Sequence, residues 1–346
     1  MSHIRALDGL RGFAALWVLL GHASLLSGAH LKVIDQAGLA VDLFMMLSGF
    51  LMCFHFLERR TSEPWERPNT WMLFWTRRFF RIAPLYYVAL LAALLAGPTL
   101  GHFRESIAPY VHSSITDLDR YNDTSFSNAL THVSFMFGFS PTYSYRTALP
   151  DWSIGLEMAF YAAFPFLMII AARFGLVLSA IVISVLCVAL SRIAPGFYDA
   201  FQQPSFLPMK LPIFYAGMLL AAATRETGKR AWITVAIAFC LVLLPIYSLK
   251  NGAFQLTIRL ALAIGLMAVT NMSLIPEWLG MRRVAAVLGR VLGNRASVFA
   301  GDMSYAVYLI HLLVLVPVAA LVDPHLLPDH PRLARYREDL ASLDLC

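Results

Sequence analysis

Long apolar runs, separated by short polar and basic segments, dominate the pattern of this chain. The runs fill windows of about 17 to 20 residues with few or no charges, the length that an α-helix needs to cross a bilayer. Because such runs are too long for buried strands, they predict an all-α, polytopic transmembrane helical bundle. The nine predicted spans lie near residues 9–28, 38–57, 82–99, 155–172, 174–191, 206–223, 231–249, 254–272 and 303–322.

Composition supports a membrane protein. Of the 346 residues, 59% are hydrophobic and only 14% are charged, more apolar than one soluble core can accommodate. We expect a membrane-embedded domain over residues 1–322 and a polar tail over residues 323–346. The apolar segment 129–139 is too short to cross and is predicted to be re-entrant or interfacial. Because the first apolar run is already a full span, we expect no cleaved signal peptide. The four cysteines show no disulfide framework.

Basic residues between the spans predict the orientation. The segments 58–81, 225–230 and 282–295 are rich in arginine and lysine, so the positive-inside rule places them in the cytoplasm. The N-terminus is then cytoplasmic and the tail external. These loops account for the net charge of +6, and no nucleic-acid binding is expected. The polar stretch 100–128, which contains His112 and Asp117, is expected to be an external solvated loop, with a lid as the alternative.

Ionisable side chains within the spans are the functional candidates, because hydrocarbon disfavours them unless they face a polar interior. On the first predicted helix, Arg11 and His22 are eleven residues apart, so they share one face and lie about 16 Å apart in depth. Asp8 lies one turn before Arg11. A cation near the inner surface and a deeper imidazole suit an anionic donor and proton chemistry. Alternatively, Arg11 extends to the headgroups and His22 only packs.

Three further positions carry charges. Asp42, near the outer end of the second span, is interpreted either as the group that orients a histidine through its ring N–H or as an interfacial cap. Arg78 and Arg81 are three residues apart, so on a helix they form one cationic face able to hold phosphate oxygens. The alternative for this arginine pair is an ordinary cytoplasmic anchor.

A carboxylate and a second imidazole complete the set. Glu157 lies in a span with Ser153 and Tyr161 four residues to either side, so hydroxyl partners are predicted, and a structural hydrogen bond between helices is the alternative. His311 shares a helix face with Tyr308 in the last span. The histidines lack zinc-ligand spacing, so no metal is expected.

In order along the chain, these motifs resemble acyltransferase family 3 of membrane proteins. The motifs are Ile4-Arg-Ala-Leu-Asp-Gly-Leu-Arg-Gly12 through Gly21-His22, Asp42-Leu-Phe-Met-Met-Leu-Ser-Gly-Phe50, Arg78-Phe-Phe-Arg81, Trp152-Ser-Ile-Gly-Leu-Glu157 and Ser304-Tyr-Ala-Val-Tyr-Leu-Ile-His311. The resemblance implies a membrane-bound, acyl-CoA-dependent O-acyltransferase of the bacterial inner membrane. Its acceptor would be a carbohydrate or glycolipid hydroxyl, its donor acyl-CoA, usually acetyl-CoA, and no tightly bound cofactor is expected.

Residue by residue, the resemblance assigns roles. The family's Arg-x10-His element falls on Arg11 and His22, which makes His22 the catalytic histidine. Its Arg-x-x-Arg element falls on Arg78 and Arg81, which the resemblance associates with the donor.

Glu157 and His311 fall at polar positions that the family places around a central cavity. The family usually adds one more spanning helix after the His311 segment, whereas here a polar tail is predicted. We therefore expect His22 to act as general base or transient acyl carrier. The alternatives are a proton-coupled transporter or flippase, and an inactive scaffold.

Overall fold

The computed structural model describes residues 5–29, 31–65, 67–110, 118–244, 252–275 and 280–321. Within these ranges the regular structure is helical. The α-helices are α1 (Arg5–Leu26), α2 (Ala37–Arg59), α3 (Pro68–Ile107), α4 (Asp119–Asn122), α5 (Phe126–Val133), α6 (Trp152–Phe174), α7 (Leu176–Ile193), α8 (Pro195–Asp199), α9 (Leu207–Ala223), α10 (Gly228–Val242), α11 (Ala253–Thr270), α12 (Met281–Leu292) and α13 (Arg295–Leu321).

The predicted polytopic helical bundle is confirmed. Among the described residues, seven helices are long and apolar enough to cross a membrane, namely α1, α2, α3, α6, α7, α11 and α13. Helices α9 and α10 are also apolar but have only 17 and 15 residues. The count of nine spans therefore stays a prediction.

Helix α3 differs most from its predicted bounds. The sequence predicted a basic loop up to residue 81 and a span over 82–99, but α3 begins at Pro68 and continues for 40 residues. Proline is favoured at a helix start, where its missing N–H leaves no bond unmade. The prediction of a loop over residues 68–81 is wrong, because arginines can belong to a helix wherever their side chains reach water or a polar cavity.

The described residues of the polar stretch 100–128 are mostly helical, where the sequence predicted a solvated loop. Arg104 and Tyr121 are buried, and a methyl group added at Gly97 would lie 2.2 Å from the Tyr121 carbonyl oxygen. Helix α5 has eight residues, about 12 Å, which is too short to cross, as predicted for this part of the chain. His112, Asp117 and the tail 323–346 lie outside the described residues.

The three basic segments lie at one end of the bundle, which we call the basic end. Arg225, just after α9, lies 4.0 Å from the carboxylate of Glu58 near the end of α2. The backbone of Leu292 at the end of α12 packs directly on Gly9 of α1. Since the N-terminal end of α1 and the C-terminal end of α2 line one cavity there, α1 and α2 are antiparallel neighbours.

Helix α2 forms the centre of the bundle and packs most closely on α9. A methyl group added at Gly49 would lie 2.0 Å from the Phe214 carbonyl oxygen, and one at Gly217 would lie 2.0 Å from that of Met46. Small residues of this kind allow two membrane helices to bring their backbones together. This close approach fixes the rotation of α2, and with it the direction of its polar side chains.

Candidate functional site

A cavity of about 360 Å³ opens between α1, α2, α3 and α13 at the basic end. Its size is at the lower end of the roughly 300–1,000 Å³ typical of small-molecule sites. The lining residues are Leu7, Asp8, Arg11, Leu51, Met52, Phe54, His55, Arg78, Arg81, Gly301, Asp302, Ser304 and Tyr305. The structure thus brings together all three arginines that the sequence assigned to a donor, together with two acidic residues.

Arg78 is the best positioned of these arginines to bind an anion. Because α3 is helical here, Arg78 and Arg81 lie one turn apart on the same face. The guanidinium carbon of Arg78 lies 5.8 Å from the ring centroid of Tyr161 and 5.8 Å from that of Phe74. Its Nε is buried and has no hydrogen-bond partner within the described part of the chain. A buried donor that lines a cavity without an acceptor suits a ligand with anionic oxygens.

His55 is a cavity residue that the sequence analysis missed. Its Nδ1 is buried and has no hydrogen-bond partner among the described residues, since the carboxylate of Glu58 is 3.9 Å away. The sequence could have identified His55 as a candidate, because it is an ionisable residue inside the predicted span 38–57. His55 therefore joins the arginines as a candidate for donor binding.

One face of α6 carries a row of polar side chains. Ser48 donates to Glu157 Oε1 at 2.6 Å, and the Tyr161 hydroxyl donates to the same oxygen. The predicted hydroxyl partner of Glu157 is therefore present in Tyr161, whereas Ser153 pairs with the Tyr308 hydroxyl at 2.6 Å. From Tyr161 to Ser153 the row extends about 12 Å along the helix. It connects the arginine-lined cavity to the opposite end of the bundle.

At that end, the two predicted intramembrane histidines are in direct contact. His22 Nδ1 lies 3.1 Å from His311 Nε2, and the ring centroids are 4.8 Å apart. His22 Nδ1 also lies 2.9 Å from the Val18 carbonyl oxygen, and His311 Nδ1 lies 2.7 Å from that of Tyr308. The structure therefore joins α1 and α13 through a histidine pair.

The hydrogen-bond partners determine which nitrogen of each ring is protonated. Carbonyl oxygens can only accept, so Nδ1 of both His22 and His311 must carry a hydrogen. The single hydrogen on His22 Nδ1 is then shared between the Val18 carbonyl and His311 Nε2 in a three-centre bond, and Nε2 of neutral His22 bears an unshared electron pair. This assignment, inferred from the bonding network, makes His22 Nε2 a base.

Asp42 does not join the histidines. Its two carboxylate oxygens accept from Lys210 Nζ at 2.6 Å and Arg259 Nε at 2.8 Å, and the residue is only 1% exposed. Phe44 packs on Tyr308, beside His311, with ring centroids 5.8 Å apart. Because Asp42 is two residues away, about 200° around the helix, it faces the other side. Among the described residues, Asp42 therefore forms a buried charge cluster with Lys210 and Arg259. It contacts neither histidine of the pair and is not an interfacial cap.

The segment between α3 and α6 contributes a second buried carboxylate. Asp151 Oδ2 accepts from the Tyr86 hydroxyl at 3.1 Å and from Thr147 at 2.9 Å, and His132 Nε2 lies 3.6 Å away. Burial raises the pKa of the Asp151 carboxyl, while nearby His132 acts in the opposite direction. The adjacent Pro150 carbonyl accepts from Tyr308 at 2.8 Å. This segment therefore covers the end of the bundle next to the histidine pair.

Among the described residues, no group of three or more His, Cys, Asp or Glu side chains is arranged to hold a metal ion.

Comparison with known proteins identifies the family to which the chain is similar. The chain matches the family model described as "Acyltransferase domain" over residues 4–336. It is 26% identical over 317 residues to a protein of Acidianus two-tailed virus whose name describes it provisionally as an acetyltransferase, with 88% of this chain and 81% of that protein covered. It is also 26% identical over 347 aligned residues to an acyltransferase of Streptomyces mycarofaciens, covering 90% of this chain and 78% of the relative. No solved structure matches.

Proposed function

Since the chain belongs to the acyltransferase domain family that it matches over residues 4–336, we propose that it transfers an acetyl group from acetyl-CoA to a hydroxyl of a carbohydrate or glycolipid at the bacterial inner membrane. The observation that carries this proposal is a histidine pair in which His22 Nε2 is unprotonated, linked by a polar row to an arginine-lined cavity.

The cavity is the proposed donor site. The positive-inside rule assigns the basic end to the cytoplasm, which is where acyl-CoA is found. Arg78, Arg81 and Arg11 then bind its phosphate oxygens. The rest of the donor extends toward His22, which lies about 16 Å above Arg11 on the same helix.

His22 is the proposed general base. Its Nε2 removes the proton from the acceptor hydroxyl, whose oxygen attacks the thioester carbonyl. A carbon–oxygen bond forms, the carbon–sulfur bond breaks, and the proton leaves on the coenzyme A sulfur. His311 is a positioning residue, because its Nε2 accepts from His22 Nδ1 and stabilises the imidazolium while it exists. Transient acylation of His22 Nε2 is the alternative course at the same atom.

Thiol release tests the proposal directly. Purified protein in liposomes is supplied with acetyl-CoA and a panel of sugars and glycolipids, and free thiol and acetylated acceptor are both measured. We expect both products in equal amounts for at least one acceptor. Movement of a substrate across the bilayer without thiol release would support the transporter alternative and refute acyl transfer.

Arg78 provides a prediction for the donor site. Arg78→Gln should raise the KM for acetyl-CoA by about 10- to 100-fold, because a hydrogen bond to a charged group contributes roughly 1.5–3 kcal/mol. The kcat should change much less, since Arg78 is remote from the histidine pair.

Arg77→Gln is the matched control for this measurement. Arg77 is adjacent, does not line the cavity and pairs with Glu63 at 2.9 Å. If both variants changed the KM equally, the cavity would not be the donor site.

A further inference from the structure

Helix α12 has three distinct faces. Ala285 and Leu292 are buried against the bundle. Val284, Val287 and Val291 are 68%, 50% and 54% exposed and fall within an arc of about 60°. The cationic face occupies the remaining side and consists of Arg282, Arg283 and Arg290. A helix that lies between protein and water has one apolar face, which is buried, and one polar face, which is hydrated. The exposed valine stripe is a second apolar face and therefore requires a third environment.

The headgroup region of a bilayer supplies that environment. Twelve residues span about 18 Å, too little to cross roughly 30 Å of hydrocarbon. A helix with an apolar stripe flanked by arginines is typical of one that lies in the interface plane. Two further apolar side chains, Phe299 and Met303 at the start of the next helix α13, are also exposed. The arginines favour a leaflet with anionic phospholipids.

Helix α12 also packs against α1, one of the helices that line the proposed donor site. A methyl group added at Gly9 would lie 2.0 Å from the Leu292 carbonyl oxygen, so the end of α12 contacts α1 backbone to backbone. One added at Gly301 of α13 would lie 2.2 Å from the Asp8 carbonyl oxygen. Asp8, Arg11 and Gly301 all line the cavity. Helix α12 therefore contacts α1 within one turn of two residues that line the cavity.

We propose that α12 is a binding site for anionic phospholipid, with its valines among the acyl chains and its arginines on the lipid phosphates, and that this contact holds the cavity in its donor-binding form. The second part rests on the proposed function, because it assumes that the cavity binds acetyl-CoA. The first part does not.

The placement is tested with nitroxide labels at Val284→Cys and Arg290→Cys, which lie about 120° apart around the helix, with unsubstituted protein correcting for label on native cysteines. In nanodiscs containing phosphatidylglycerol, the label at 284 should be relaxed by oxygen, which concentrates in lipid. The label at 290 should be relaxed by a water-soluble nickel complex. Equal nickel access at both positions would overturn the placement, whether or not the protein transfers acetyl groups.

The coupling is tested by acetyl-CoA affinity in nanodiscs of phosphatidylcholine, with and without phosphatidylglycerol. Anionic lipid should tighten binding roughly fivefold or more, the effect of about one charge contact. The triple variant Arg282→Gln, Arg283→Gln, Arg290→Gln should lose this dependence. The control Arg60→Gln, Arg67→Gln, Lys229→Gln removes the same charge from exposed positions in other basic segments and should keep it.

The outcomes separate the two proposals. Lipid-independent binding, or an equal loss in both triple variants, would refute the coupling. No acetyl-CoA binding in any lipid would refute the donor site and with it the coupling, while the label measurement would still decide where α12 lies.

Discussion

Replacing His22 with alanine should lower the rate of acetyl transfer by about 10²- to 10⁴-fold, the usual contribution of a positioned general base. The reason is that alanine removes His22 Nε2, the unprotonated ring nitrogen that is assigned as the base, whereas the other unprotonated nitrogen, His311 Nε2, already accepts from His22. Folding should be preserved, because His22 is only partly buried and its side-chain bonds are to Val18 and His311. The measurement is thiol release from acetyl-CoA, together with size-exclusion chromatography of the variant.

His102→Ala is the matched control, since that side chain is 82% exposed and lies at the far end of α3. It should leave the rate unchanged. A glutamine at position 311 can still accept from His22 Nδ1, so His311→Gln should retain more activity than His311→Leu. Unchanged transfer by His22→Ala would remove the histidine from the mechanism, and equal activity of the two His311 variants would remove the positioning role.

Replacing Asp42 with asparagine should destabilise the protein by about 3–5 kcal/mol, the cost of breaking a buried ion pair from one side. Lys210 and Arg259 would then lose the carboxylate that both bind, and two cations would stay buried without a counter-charge. Thermal unfolding in detergent, followed by a thiol-reactive dye, measures this as a rise above the signal of exposed Cys240, because Cys53 and Cys187 are buried until the bundle opens.

Asp199→Asn, at an exposed position in α8, is the control and should unfold at the wild-type temperature. Adding Lys210→Met to Asp42→Asn restores the net charge of the cluster and should recover part of the loss. If Asp42→Asn unfolded at the same temperature as Asp199→Asn, the charge cluster of Asp42 would not be a major source of stability.

Much of this architecture can be predicted from the sequence. Span length and low charge density predicted the helical bundle, because both follow from the cost of polar groups in hydrocarbon. Helical periodicity placed Arg11 and His22 on one stripe and Arg78 with Arg81 on another. The resemblance pointed to a cavity shared by helices distant in sequence, and the structure brings Arg11, Arg78 and Arg81 to one cavity.

The partners of Asp42 could not be predicted in the same way. Lys210 and Arg259 are 168 and 217 residues away along the chain, and helix periodicity says nothing about which helices become neighbours. Both are ionisable residues inside predicted spans, which marked them as candidates without pairing them. The contact between His22 and His311, across 289 residues, was hidden for the same reason.

Local composition also gave wrong predictions of where helices begin and end. The arginines before residue 82 suggested a loop, although they extend α3. The polar stretch after residue 100 suggested a solvated loop, yet Arg120 is buried there. It donates to the carbonyl oxygens of Thr147 and Leu149, at 2.7 and 3.0 Å. Polar side chains satisfied by backbone acceptors cannot be distinguished from solvated ones by composition alone.

The 40-residue length of α3 affects how the protein responds to membranes of different thickness. At 1.5 Å per residue α3 is about 60 Å long, twice the hydrocarbon thickness of roughly 30 Å. In a thicker bilayer, more of α3 would lie in hydrocarbon, and the helix would still be long enough to cross. Helix α7, with 18 residues and about 27 Å long, has no such reserve, so hydrophobic mismatch would concentrate there, and the surrounding lipid would have to thin around it.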